Sequence, residues 1–312
     1  MNLKKYLKAQ RNAIRLNPYI ARLQYTLGNL YCRWAGRLCR VDYSTHGTEG
    51  TVAICLRFRN EAHYLSEWIE YYLAAGVAHF FLYNNYSDDA YLPVLEPYIT
   101  GGVVTLIDWP HVPASPTAEE DCIRRAVGKF AWVGFLDADE FVVIRDGRSI
   151  PDFLSEFQDY PGVALHWIYF GSNGYKQRPR LPVIEAYTRR RSTANIHVKV
   201  FIRPDAVTQC ANSHVWYFRG GRAAVDEDRL PVWGSRSPRA SAKRAWINHY
   251  YSKSEEDYLK KTQQKSTLDR SGMVSPSRTA ELMQHHMTDN NEVECLSAVE
   301  YRNSRLALTG KL

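Results

Sequence analysis

The chain has 312 residues and a net charge of +7, with 45% hydrophobic and 13% aromatic residues, so it can bury a core in one large or two modest domains. Its six cysteines, at 32, 39, 55, 122, 210 and 295, include no C-x-x-C pair, which argues against a zinc knuckle, a redox motif or a disulfide framework. No run of about 18 apolar residues predicts a spanning helix, and the N-terminus lacks a signal-type apolar core.

Residues 1–41 hold nine Lys or Arg and no Asp or Glu. Tyr6, Leu7, Ile14, Leu23, Leu27 and Leu30 are among the apolar residues interleaved with them. Such a helix suits an anionic lipid surface. The same pattern also fits a helix packed on the main domain, or a solvated arm. Residues 42–50 read as a polar linker.

Thr51 to Phe58 is apolar and β-branched, a strand pattern. Asn60 is placed to cap a helix in which Leu65, Trp68, Ile69, Tyr72 and Leu73 recur at helical spacing, and Gly76 stops it. His79 to Tyr83 predicts a second strand, followed by the polar loop 84–89. A short helix runs from about Leu92 to Ile99, and Val103 to Trp109 is a third strand. Thr117-x-x-Glu120 reads as a capping box opening a helix to about Phe130. A fourth strand ends at Asp137, and Phe141 to Ile144 is a further apolar run.

This alternation predicts a doubly wound, mainly parallel α/β sheet, with ligands at the carboxyl ends of its strands. Asn60 and the loops 84–89, 110–116 and 137–140 all fall at that edge. Asp137-Ala138-Asp139-Glu140 is the most telling of them. Three carboxylates at the end of an apolar strand suit a hard divalent cation, Mn²⁺ or Mg²⁺, carrying a phosphate. A simple turn is the plainer reading. An EF-hand is excluded because the Gly at its sixth position and the closing Glu are missing. A phosphatase with an Asp137 nucleophile is a competing class.

Past Gly162 the pattern is aromatic and basic, with fifteen Lys or Arg against five Asp or Glu from 174 to 244. That balance suits an anionic substrate. A nucleic-acid groove, with Trp167, Tyr169, Phe170 and Tyr175 as stacking platforms, ranks lower. Aromatic strands are more often core, so a nucleic-acid partner is not expected.

Several blocks in order resemble glycosyltransferase family 92 and the related family-2-like glycosyltransferases. They are Asn60-Glu61-Ala62-His63-Tyr64-Leu65-Ser66-Glu67-Trp68-Ile69-Glu70-Tyr71-Tyr72, the loop Tyr83 to Asp89, Asp137-Ala138-Asp139-Glu140-Phe141, Phe170-Gly171-Ser172-Asn173-Gly174, and Ile247-Asn248-His249-Tyr250-Tyr251-Ser252-Lys253-Ser254. The resemblance spans about 50–265. It implies a GT-A type, Rossmann-like mixed and mainly parallel sheet with helices on both faces.

The implied activity is a metal-dependent, inverting transfer from a UDP-sugar, galactose favoured, to a saccharide or lipid-linked acceptor. The implied metal ligands are Asp137, Asp139 and His249, with His214 as the alternative to His249. Arg57, Asn60, Glu61, Asn84, Asp88, Asp121, Asp137, Ala138 and Lys253 would bind the sugar nucleotide. Glu185 or Glu140 would be the base. The expected organisation is a basic N-terminal helical segment (1–48), a catalytic domain (49–265) with a nucleotide-binding half (51–145) and an acceptor half (146–265), and a C-terminal helical tail (266–312). Lack of a spanning run, where animal members carry one, points to a cytoplasmic bacterial enzyme, peripheral at the inner membrane face.

Overall fold

The computed structural model describes residues 17–34, 44–237, 239–263 and 285–310. Helix α1 (Pro18–Trp34) comes first. The expected alternation follows as β1 (Thr48–Phe58), α2 (Ala62–Ala74), β2 (His79–Asn84), α3 (Tyr91–Thr100), β3 (Val104–Asp108), α4 (Thr117–Ala126) and β4 (Phe130–Phe135). The order β4-β1-β2-β3 is parallel throughout. The period of two along β1 divides the core. Val52, Ile54, Leu56 and Phe58 pack with Trp68, Ile69 and Tyr72 of α2. Ala53 and Cys55 pack on the other face with Ala118, Cys122 and Ile123 of α4.

The rest of the chain supplies β5 (Glu140–Ile144), α5 (Ile150–Ser155), β6 (Gly162–Tyr169), α6 (Val183–Ala186), β7 (Arg189–Arg190) and β8 (Val198–Ile202). Then come β9 (Val207–Asn212), β10 (Val215–Phe218), β11 (Ala224–Val225), β12 (Pro231–Val232), β13 (Ala245–His249), α7 (Glu255–Gln263), β14 (Val293–Glu294) and α8 (Ser297–Thr309). β8 runs antiparallel between β4 and β6 and carries the sheet into the second half of the chain. Gly134 makes room there, since a Cβ on it would lie 2.5 Å from the Phe201 ring. β13 pairs parallel with β6 and antiparallel with β5. The result is the expected mixed, mainly parallel sheet, here of ten strands drawn from both sides of residue 145.

Four local expectations are corrected. Thr48 to Gly50 belong to β1 rather than to a linker. Asn60 is not the cap of α2. Glu61 holds that position, without a side-chain cap, and Asn60 turns the chain at φ +57°. Thr117 forms no capping box. Its hydroxyl donates to the Ala114 carbonyl (2.9 Å), Pro116 holds the cap position, and α4 stops at Ala126. The box that forms is Ser149 with Asp152, opening α5.

Gly76 does end α2, at φ +93°, a conformation costly to any other residue. The described part of the expected N-terminal helical segment is α1; residues 1–16 and 35–43 lie outside the described residues. Of the expected tail, residues 264–284 and 311–312 lie outside them too. The remainder packs inward, with the Tyr301 hydroxyl donating to the Arg148 carbonyl (3.0 Å) and Arg305 Nε to that of Ala74 (3.2 Å). Among the described residues, no helix is long and apolar enough to cross a membrane.

Candidate active site

The acid turn sits between β4 and β5, and α2 holds it in shape. Among the described residues β5 has a strand partner on one side only, β13, so its other edge offers backbone groups outside the sheet ladder. Aromatic side chains of α2 satisfy them. The Trp68 indole donates to the carbonyls of Asp137 (3.1 Å) and Glu140 (3.2 Å). The Tyr72 hydroxyl donates to the Glu140 carbonyl (2.9 Å) and accepts from the Val142 N–H (3.1 Å), and Tyr71 donates to the Val142 carbonyl (2.7 Å). The helical stripe that reads as core in the sequence is thus also a backbone clamp.

The three carboxylates meet different partners. Lys199 of β8, 1% exposed, reaches Asp137 Oδ2 at 2.8 Å and Glu140 Oε2 at 3.5 Å. Burial pushes Asp137 up, but Lys199 and then Arg57 overcome it and hold the carboxyl down to about 2. Burial pushes Glu140 well above the usual range against the pull of Lys199. Glu140 also accepts from the Asp137 N–H (3.0 Å). Asp139 faces the other way. Lys261 Nζ lies 2.6 Å from its Oδ2 and Lys253 Nζ 3.8 Å, and His249 Nε2 lies 3.4 Å from its Oδ1. Burial raises Asp139, but Lys261, Lys253 and His249 together hold it well below the carboxylate range.

Lys253 and Lys261 open onto a cleft of about 670 Å³, whose other walls include Asn60, Glu61, Tyr64, Asp88 and Arg178. This size suits a small-molecule ligand. Ser254 caps α7, accepting from the Asp257 N–H (3.1 Å). Lys253, just before it, is turned inward at φ +51° over the Tyr64 ring. Asn60 and Tyr86 share that left-handed conformation, at φ +57° and +61°. Such strain in non-glycine residues collects at ligand sites. Asn60 Oδ1 of the side-chain amide accepts from the Asp88 N–H (2.9 Å), tying the two loops. Burial raises the Glu61 carboxyl, opposed by Lys253 and Lys261.

Asn60, Glu61, Asp88 and Lys253 are therefore gathered at the cleft, with Asp139 and His249 directly behind it. Ala138 is buried in the turn. Arg57 pairs with Glu119 (3.0 Å) and contributes to the charge around Asp137. Asn84 braces the second loop, donating to Tyr91 and Asp108 (both 2.9 Å). Asp121 accepts from the Tyr83 hydroxyl (2.8 Å) and pairs with Arg125 (2.6 Å), away from the cleft lining. Glu185 is not brought to the acid turn, since Arg302 of α8 holds it at 2.9 Å. Two residues of the candidate site escaped the sequence reading. Lys199 was signalled by a lone cation in Val198-Lys199-Val200-Phe201-Ile202, because a buried charge demands a partner. Lys261 carried no local signal.

For a divalent cation the donors that the geometry offers would be Asp139 Oδ1 and His249 Nε2, 3.4 Å apart. A Mg²⁺- or Mn²⁺-type ion typically takes one or two protein ligands and completes its shell with phosphate. Among the described residues, no three His, Cys, Asp or Glu side chains cluster closely enough to hold an ion alone. Asp137 is engaged by Lys199 instead. The other ring nitrogen of His249, Nδ1, is buried without a hydrogen-bond partner. Burial lowers the His249 pKa despite Asp139, which keeps a lone pair available. The alternative, His214, donates Nδ1 to the Val198 carbonyl (2.8 Å) and is lowered to about 4 by burial and Lys199. The two residues thus fit a nucleotide-completed site. His249→Ala is expected to weaken Mn²⁺ binding in the presence of UDP on the order of 10²-fold, and His214→Ala far less. A reversed ranking in parallel titrations would move the ligand to His214.

The sequence profile of Glycosyltransferase family 92 matches residues 50–294. The Glycosyltransferase family 92 protein Os08g0121900 of Oryza sativa subsp. japonica is 32% identical over 174 residues, covering 54% of this chain and 29% of that protein. The family 92 protein RCOM_0530710 of Ricinus communis is 31% identical over 188 residues, covering 57% and 33%. The match therefore spans about a third of the length of these relatives. Among solved structures, S. aureus TarS 1–349 is similar with a TM-score of 0.38 at 15% identity, over 67% of this chain and 62% of that one. Glucosyl-3-phosphoglycerate synthase from Mycobacterium tuberculosis, in complex with Mn²⁺, UDP and glucosyl-3-phosphoglycerate, gives a TM-score of 0.27 at 13% identity, over 38% and 44%.

Proposed function

This chain belongs to glycosyltransferase family 92, and from that premise we propose that it transfers a hexose from a UDP-sugar, with inversion, to a saccharide or lipid-linked saccharide. Galactose is the hexose the family resemblance favours. The observation that carries the reading is the pairing of Asp139 with His249 behind a cleft walled by Lys253 and Lys261. An acid–imidazole pair beside two ammonium groups is complementary to a cation-bound diphosphate. Asp139 and His249 would hold Mn²⁺ or Mg²⁺, whose Lewis acidity would neutralise the departing diphosphate.

The chain's own residues do the rest. Lys253 and Lys261 bind phosphate oxygens once Asp139 is turned to the cation. Arg57 and Asp137 face the ribose side, and Asn60, Glu61 and Asp88 shape the nucleotide wall. Asn84 and Asp121 support that half, 51–145, from beneath. The half 146–265 receives the acceptor. Glu140 is enclosed and committed to Lys199 and the Asp137 N–H, and Glu185 is held by Arg302 away from the acid turn, so neither carboxylate is placed to deprotonate the acceptor. Glu185→Gln is therefore expected to leave kcat and UDP affinity unchanged. A fall in kcat of roughly 10²–10⁴-fold, the size of a lost general base, would restore Glu185 to the reaction.

Thermal shift against a panel of nucleoside diphosphates, with and without Mn²⁺, tests the whole reading. The largest stabilisation is expected for UDP with Mn²⁺. An equal response to every nucleotide, or none to UDP, would overturn it.

A further inference from the structure

Helix α1 presents two unlike faces. Inward, Tyr25 donates its hydroxyl to the Arg222 carbonyl (2.7 Å) and accepts from the Phe218 N–H (3.1 Å). Its ring packs on Tyr217 and Trp233, with centroids 5.0 and 5.3 Å away. Gly28 lets the helix approach closely, since a Cβ there would meet the Tyr217 ring. Outward, Leu23, Leu27, Leu30 and Trp34 follow at i, i+4, i+7 and i+11, which puts them in one stripe about half a turn from Tyr25. They are 58%, 56%, 56% and 85% exposed, and Tyr19, at 82%, extends the stripe.

A contiguous apolar face of this kind on an anchored helix marks an interaction surface. Its charge setting selects the partner. Arg22, Arg33, Arg219 and Arg222 are exposed on or beside the helix, and residues 1–41 carry nine Lys or Arg and no acid. A second copy of the same face would bring like charges together.

We propose that α1 docks this protein on an anionic lipid bilayer, the stripe entering the headgroup–acyl boundary while the arginines meet acidic headgroups. This rests on the geometry of α1 and is independent of the donor and metal assignments. Because Tyr25 and Gly28 fix the helix to β10 and its flanks, docking would orient the sheet against the membrane rather than tether it loosely.

The test uses the full chain with vesicles of phosphatidylcholine, alone or mixed with phosphatidylglycerol. The protein is expected to float only with the phosphatidylglycerol vesicles, and less so as salt is raised. The double variant Leu27→Glu with Leu30→Glu is expected to lose about tenfold or more of that binding, with its melting temperature and UDP thermal shift unchanged. Absence of flotation, or equal flotation of the variant, would overturn the proposal. A variant that melts earlier or breaks up an oligomer would overturn it as well, since the stripe would then pack within the chain or against a second copy.

Discussion

Asp139→Asn is expected to abolish the gain in UDP affinity that Mn²⁺ confers, and to lower kcat/KM by roughly 10³-fold, about 4 kcal/mol of transition-state stabilisation. The carboxylate is the anionic donor that faces His249 among the described residues, and it is also the counter-ion of Lys253 and Lys261. The amide keeps its shape but neither attracts the cation nor balances the lysines. Glu61 remains beside both ammonium groups, so the fold is expected to survive. Calorimetry of UDP binding with Mn²⁺ and under chelator reads the effect directly. A variant that still binds UDP more tightly with Mn²⁺ would displace Asp139 from the metal site.

Lys199→Met is expected to cost about 3–5 kcal/mol of stability, the range for breaking a buried ion pair from one side. The substitution nearly preserves the volume of the stem but leaves Glu140, 0% exposed, facing Asp137 with no cation between them. Burial already pushes the Glu140 carboxyl up, and Lys199 is the cation that opposes it. The double variant Lys199→Met with Glu140→Gln is therefore expected to recover much of the loss. Denaturant melts of Lys199→Met, Glu140→Gln and the double variant complete a double-mutant cycle, and additive losses would mean that Lys199 and Glu140 are not coupled.

These two residues mark how far the sequence could be read. β1 to β5 were legible because each is a short apolar run between polar loops, and the loops at their carboxyl ends do carry Asn60, Asp88 and Asp139. Caps were the weak point. Asn60 and Thr117 are good cap residues by type, yet Asn60 spends its side chain on the loop at Asp88, a choice made by tertiary packing, and Thr117 turns its hydroxyl back to the Ala114 carbonyl three residues earlier. Lys199 left a trace in the sequence, a cation alone among apolar residues. Lys261 left none, because its meeting with Asp139 depends on how α7 docks over the acid turn. The position of Glu185 was likewise set by its partner Arg302 on α8.

Asp139 and His249 lie far apart in the chain, but β5 and β13 set His249 opposite Glu140, and the Tyr250 N–H donates to the Asp139 carbonyl (2.8 Å). The spacing of the proposed metal pair is thus fixed by a rung of an antiparallel ladder rather than by a loop. Sliding β13 by one residue would turn the imidazole to the opposite face of the sheet. If Asp139 and His249 hold the ion as proposed, metal affinity is a gauge of strand registry. A misfolded population with native helix and sheet content but β13 out of step would betray itself by failing to bind the ion.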